Sequence, residues 1–192
     1  MKYDPDRHHR QSIRLRGYDY TQAGAYFVTI VVSDRECLFG DISDDEMRLN
    51  NYGRVVAAEW QKIPARFPHV TTDVSIVMPN HMHGIIVING KGEASANNIP
   101  SSCLSGNEGF APARPTGTTS GSLGAIVQNF KSTSTRQINV LRHAPGLPLW
   151  QRNYYERVIR DERELNRIRE YILNNPLKWA LDAENPIVTW RG

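Results

Sequence analysis

The chain has 192 residues, 40% of them hydrophobic and 22% charged, with a net charge of +3 and a pI near 8.9. That length suits one domain with a sizeable core, and residues 1–192 are read as a single unit. No apolar run approaches the ~20 residues of a membrane span, so a membrane partner is not expected. The charged start Met1-Lys2-Tyr3-Asp4-Pro5-Asp6-Arg7 leads into no apolar stretch, so no secretory signal is expected either. Cys37 and Cys103 lie far apart, which suits a reduced, cytoplasmic protein. A charge this small permits a polyanionic partner without demanding one.

Residues 1–20 form a basic arm in which Arg7, Arg10, Arg14 and Arg16 stand beside His8 and His9. Such an arm fits a solvated tail as well as it fits contact with phosphates. The run from Ala25 to Val32 is aromatic and β-branched nearly throughout and predicts a strand. A polar loop with Asp41, Asp44 and Asp45 follows, then Leu49, Tyr52, Val56 and Trp60 at helical spacing, with Pro64 as the stop. His69 to Val77 and His81 to Ile88 read as two strands joined through Pro79-Asn80, where Asn80 needs only the turn tolerance of a hairpin tip.

From 91 to 122 Gly, Ser, Thr, Asn, Ala and Pro dominate and hydrophobic periodicity vanishes, which predicts a flexible insertion within the domain. Leu123, Ile126, Val127 and Phe130 restore a helical stripe that Pro145 and Pro148 end. Leu149 to Ile159 should supply a last strand. The order is then βαββαβ, the ferredoxin-like antiparallel sheet with helices on one face. An extra C-terminal helix follows, with Asp161 as N-cap, Glu164 three residues on, an apolar stripe of Leu165, Ile168 and Ile172, and Pro176 beyond its end.

His81 and His83 are two apart on a strand, so their imidazoles leave the same face, with Met82 and Ile85 expected on the other. Tyr171 and Asn175 are four apart on the last helix and share one side of it. A helix lying across the sheet near the hairpin would bring two imidazoles and an amide oxygen around one ion, with a phenol close by. Three protein ligands leave positions open for water or substrate. Taken singly, each signal is weak: a tyrosine beside an apolar stripe is most simply a semi-buried core residue.

Between Trp150 and Lys178, Arg152, Arg157, Arg160, Arg163, Arg167 and Arg169 interleave with Tyr154 and Tyr155. Cations beside aromatic rings suit single-stranded nucleic acid, whose phosphates need neutralising and whose bases stack. Lys131 and Lys178 join Arg152, Tyr154, Tyr155, Arg157 and Arg167 as candidate contacts. Glu156, Asp161, Glu162, Glu164 and Glu170 share the region, so part of it also reads as a salt-bridged, solvated face.

Pro-Asn-His-Met-His-Gly at 79–84, Trp-Gln-Arg at 150–152 and Glu-Tyr-Ile-Leu-Asn-Asn-Pro-Leu-Lys at 170–178 together resemble the single-tyrosine HUH transposases, most closely their REP-associated tyrosine transposase branch. The resemblance runs from about Tyr26 to Lys178. It implies that His81, His83 and Asn175 bind Mg²⁺ or Mn²⁺. It also implies that Tyr171 attacks single-stranded or hairpin DNA to give a 5′-phosphotyrosine link and a free 3′-hydroxyl. A bacterial, nucleoid-associated setting follows from it, and a homodimer belongs among its expectations because in some relatives the tyrosine helix serves the partner's site. No Gly-rich P-loop is present, in keeping with a rejoining step that needs no nucleotide cofactor. The rival reading is a non-catalytic single-strand binder of the same fold. The set His81, His83, Tyr171 and Asn175 favours the strand transferase, since a binder has no use for all four.

Overall fold

The structure, a computed structural model, describes residues 18–89, 119–182 and 184–186. Cys103, nearly all of the 91–122 insertion and the basic arm up to residue 17 lie outside the described residues.

Strand β1 (Gly24–Val31) is buried along its whole length, as its aromatic and β-branched sequence requires. It pairs on one side with β5 (His81–Ile88) and on the other with β6 (Tyr155–Ile159), while β4 (Val70–Val77) pairs with β5 at the sheet edge. All pairings are antiparallel, and the order β4-β5-β1-β6 is that of the split βαβ arrangement the sequence predicts. A second, two-stranded sheet, β2 (Gly40–Ser43) with β3 (Glu46–Leu49), occupies the stretch expected to be a polar loop. Its turn places Asp44 and Asp45 at positive φ, a conformation that Asp tolerates better than most residues, so the acids there serve the hairpin.

Helices α1 (Asn51–Gln61) and α3 (Leu123–Leu141) cover one face of the sheet. Val56, Trp60, Ile126, Val127 and Phe130 meet Tyr26, Val28, Ile30, Met82 and Ile86 in the larger core. Gly84 marks a close approach of α1 to the sheet, since a Cβ there would stand 2.3 Å from the Trp60 ring. Pro64 does not end α1; it opens the short helix α2 (Ile63–Arg66) that follows.

Helix α4 (Glu162–Leu173) packs on the opposite face, where Leu165, Ile168 and Ile172 bury against Ala25, Phe27, Ile85, Val87 and Ile159. Burying three such side chains is worth about 2 kcal/mol each. Asp161 caps the helix by accepting from the Glu164 amide at 2.7 Å. The Glu164 carboxylate in turn accepts from Arg157 Nε at 2.6 Å and from the Arg160 amide at 3.0 Å, fastening the helix start to β6. Near the other end Arg169 pairs with Asp73 of β4 at 2.6 Å. Ile85 therefore faces α4 together with the histidines, not away from them with Met82: positions 81, 83 and 85 share one parity on the strand.

The last strand is shorter than expected. Leu149 to Gln151 stay bonded to the end of β1 through an isolated bridge between Trp150 and Val32, and residues 152–154 leave the ladder before β6. The carbonyls of Gln151 and Asn153 accept instead from Lys131 Nζ, each at 2.9 Å. Among the described residues no helix is long and apolar enough to cross a membrane.

Candidate functional site

The β4–β5 turn is closed by the Met78 amide donating to the His81 carbonyl at 2.8 Å, so β5 begins on the first histidine. His81 and His83 are buried, at 0% and 3% exposure, on the face that carries α4. Their Nε2 atoms stand 3.0 Å apart. The outer nitrogens have partners as well: His81 Nδ1 lies 2.9 Å from Asn80 Oδ1, and His83 Nδ1 lies 2.8 Å from Thr29 Oγ1, its register partner on β1. Asn80, expected to be a permissive hairpin tip, is fully buried.

Tyr171 comes to this pair from α4. Because Ile168 and Ile172 face the core, the intervening helical face turns Tyr171 toward β5, and its hydroxyl sits 3.4 Å from His83 Nε2. Phe27 lies edge-on beneath the phenol with ring centroids 6.0 Å apart, while 40% of Tyr171 stays exposed. Asn175 lies beyond the end of α4, not on it, at the entry to a 3₁₀ turn spanning Pro176–Leu181. Its backbone keeps helical dihedrals, φ −62 and ψ −39, so the four-residue relation to Tyr171 survives the helix end. The Asn175 side chain reaches both His81 and Tyr171 closely enough to bear on their protonation.

Burial dominates the electrostatics. It pulls His81 down to about 4, against a smaller opposing pull from the Asp182 carboxylate. It also pulls His83 well below the ordinary imidazole value, with His81 adding to the effect. The Tyr171 phenol is pushed up by burial and by Asp182, with the Asn175 hydrogen bond acting the other way. Both imidazoles are thus neutral near pH 7, the form in which histidine ligates metals.

Asp182 is the functional candidate that sequence reasoning missed. The 3₁₀ turn after Asn175 brings it back so that one carboxylate oxygen and one nitrogen from each of His81 and His83 lie within 4.8 Å of one another. An acid following a helix stop carries no signal of that return. Thr29, Asn80 and Phe27 were missed for a related reason, since each acts through strand register or turn packing.

These residues fit a divalent ion. Asn175 Oδ1 is a buried acceptor that no hydrogen-bond donor reaches among the described residues. Such an atom costs stability unless something positive faces it. Two imidazole nitrogens, an amide oxygen and a carboxylate are a mixed N/O set that a divalent transition ion accepts readily, the oxygens also suiting harder ions.

Of the candidate nucleic-acid contacts, Tyr155 joins this site. It pairs with Thr29 in the ladder, is 39% exposed, and lies with its ring 6.1 Å from that of Phe27. Arg157 is held by Glu164, and Arg167 stands looser at 3.9 Å from the same carboxylate. Arg152 and Lys178 are exposed. Tyr154 packs toward the α1/α3 core with the Lys131 ammonium 5.4 Å over its ring. Burial brings Lys131 down to about 8, and its hydrogen bonds brace the loop before β6.

No family model matches the chain. A Haemophilus influenzae protein described as uncharacterized is 41% identical over 181 residues, covering 94% of this chain and 96% of the relative. A second Haemophilus influenzae protein, which carries the name of a REP-associated tyrosine transposase, is 22% identical over 171 residues, covering 83% of this chain and 74% of the relative. Among solved structures, a REP-associated tyrosine transposase bound to a REP hairpin superposes with a TM-score of 0.54 at 20% identity, covering 87% of this chain and 74% of the other.

Proposed function

We propose that this chain, which belongs to one family with its 41% identical Haemophilus influenzae relative and has the fold of the REP-associated tyrosine transposases, is a metal-dependent single-stranded DNA endonuclease and strand transferase. The observation that carries the reading is the convergence of the Tyr171 hydroxyl, the paired Nε2 atoms of His81 and His83, and the unmatched Asn175 oxygen in one half-open site.

His81, His83 and Asn175 would hold the ion, with Asp182 as a further oxygen donor. When bound, such an ion draws charge from a non-bridging phosphate oxygen and favours the ionised phenol. Tyr171 is the nucleophile. Its oxygen bonds to phosphorus as its proton leaves, the bond from phosphorus to the 3′ oxygen breaks, and that oxygen takes up a proton. The product is a 5′-phosphotyrosine and a 3′-hydroxyl, and reversal with another 3′-hydroxyl rejoins the strand. Burial and Asp182 raise the phenol above its ordinary pKa, so attack gains from positive charge beside it. Phe27 fixes the ring from below, and Tyr155 offers an exposed face on which a base beside the broken phosphate can stack. The hairpin on the structural relative makes hairpin DNA the first substrate to test.

The decisive experiment incubates the protein with end-labelled single-stranded hairpin DNA and Mg²⁺ or Mn²⁺ and looks for a protein–DNA adduct that survives denaturation. An adduct in the wild type and none in Tyr171→Phe supports the reading. Binding without an adduct under either ion would leave a nucleic-acid binder of the same fold.

A further inference from the structure

We infer that Asn80 is a positioning residue that sets the tautomer of His81 through its side-chain oxygen, while its amide nitrogen anchors it to the surrounding backbone. Its Nδ2 donates to two backbone carbonyls, Arg35 O at 2.9 Å and Glu184 O at 2.7 Å. Both amide hydrogens are then used. Flipping the amide would turn Oδ1 onto two carbonyl oxygens, so its orientation follows from its neighbours. Oδ1 can only accept, and it faces His81 Nδ1 at 2.9 Å. His81 must donate from Nδ1. As a neutral imidazole it has no second proton, so its Nε2 carries a lone pair directed at His83 Nε2, 3.0 Å away.

His83 is held differently. Its Nδ1 faces Thr29 Oγ1 at 2.8 Å, and a hydroxyl both donates and accepts. Facing the His81 lone pair, His83 carries its proton on Nε2 when no ion is bound, and the hydroxyl lets that proton shift to Nδ1 when a cation comes between the rings, whereas His81 keeps one tautomer. One imidazole is fixed as a ligand and the other adapts to it. The same amide ties three segments together: the turn after β1 through Arg35, the start of β5, and the C-terminal segment through Glu184. A carboxylate at position 80 would still accept from His81 but would set its charge against the carbonyls of Arg35 and Glu184. An alanine would strand a buried imidazole N–H.

This inference rests on the reading of the site as a metal centre, yet its test does not pass through DNA cleavage. Two-bond ¹H–¹⁵N spectra of the full chain report which imidazole nitrogen is protonated, with and without Mg²⁺, and the signal of free Mn²⁺ in electron paramagnetic resonance reports affinity. In the wild type His81 should be protonated on Nδ1 under both conditions, while His83 moves its proton to Nδ1 when Mg²⁺ is added. Asn80→Ala should lose the His81 preference and weaken Mn²⁺ binding by about 10- to 100-fold. Asn80→Asp should keep the Nδ1–H tautomer and most of the affinity while melting at lower temperature. A merely structural Asn80 would make the two variants bind Mn²⁺ equally poorly. That result, or a wild-type His81 protonated on Nε2, overturns the inference, and the wild-type spectrum decides alone if a variant does not fold. Loss of DNA cleavage with the expected tautomers would instead count against the strand-transferase reading only.

Discussion

The Tyr171 hydroxyl stands 3.4 Å from His83 Nε2, although 88 positions separate the two residues in the chain. Nothing local holds them together. The contact depends on α4 docking across β1 and β5 through Leu165, Ile168 and Ile172, and on the clamps at Glu164 and Arg169. Tyr171→Phe removes one hydroxyl from a ring that is 40% exposed. Stability should stay within about 0.5 kcal/mol of wild type, as for surface substitutions generally. The covalent adduct should vanish while hairpin affinity in a gel-shift titration changes less than twofold, about 0.4 kcal/mol. An adduct that persists in Tyr171→Phe would move the nucleophile elsewhere, with Tyr155 the nearest exposed phenol to test.

The two buried histidines give the fold a pH signature. Folding lowers His81 from 6.5 to about 4, chiefly by burial, and lowers His83 as well. Between those values the unfolded chain binds more protons than the folded one. Stability is therefore full above pH 6.5 and is lost as pH falls toward 4. For His81 alone the shift corresponds to roughly 3 kcal/mol. Melting temperatures measured in chelator should fall through this window, and His81→Gln should flatten the profile. Glu59 contributes lower down. Burial opposes its ionisation, but hydrogen bonds from Lys62, Arg66, Gln137 and Thr133 hold it at about 2, so its share of stability disappears only below the ordinary carboxylate value of 4.5.

Gly84 sits between the histidines and the middle of β5, on the side away from them. A methyl group there would press into the buried Trp60 ring. Gly84→Ala should cost about 1–3 kcal/mol in urea unfolding, the usual range for overpacking. Trp60→Phe on its own opens a cavity. Combined with Gly84→Ala it should recover part of the loss, a coupling that a double-mutant cycle reads directly. Additive losses would show that the clash is relieved by backbone movement.

The sheet was legible because its strands carry their signals within themselves. Val28 to Val32 and Ile85 to Ile88 are β-branched runs with little alternative, and the stripes at 123–130 and 165–172 set two helices on known faces. His81, His83 and Tyr171 could be named only together, because each signal is weak alone and it was the resemblance of three motifs in order that joined them. The β2–β3 hairpin was not legible: its strands are four residues each, half-exposed, and bounded by acids that read as loop. The shortened β6 turned on Lys131, a residue from another helix that takes the carbonyls a ladder would have used. Asn80, Thr29 and Asp182 needed register and a tight turn, which are tertiary facts. Asn80 in particular was misread because a turn position is ordinarily exposed, whereas this one lies beneath the C-terminal segment.

The exposed groups around the site should separate into two kinds of contact. Tyr155, beside Phe27 and level with Thr29, presents a ring and no charge, so Tyr155→Ala should weaken single-strand affinity by about 1–3 kcal/mol. Its loss should leave the slope of log K against log salt unchanged, since no phosphate contact is removed. Lys178 and Arg152 are exposed cations, and replacing either with alanine should shallow that slope by about 0.7 for a single-strand site. Lys131 should behave as neither. Its ammonium braces three successive carbonyls from Gln151 to Asn153, so Lys131→Ala should lower the melting temperature and leave the slope intact. A shallower slope in Lys131→Ala with unchanged melting would place that lysine on the DNA and its carbonyl contacts in a secondary role.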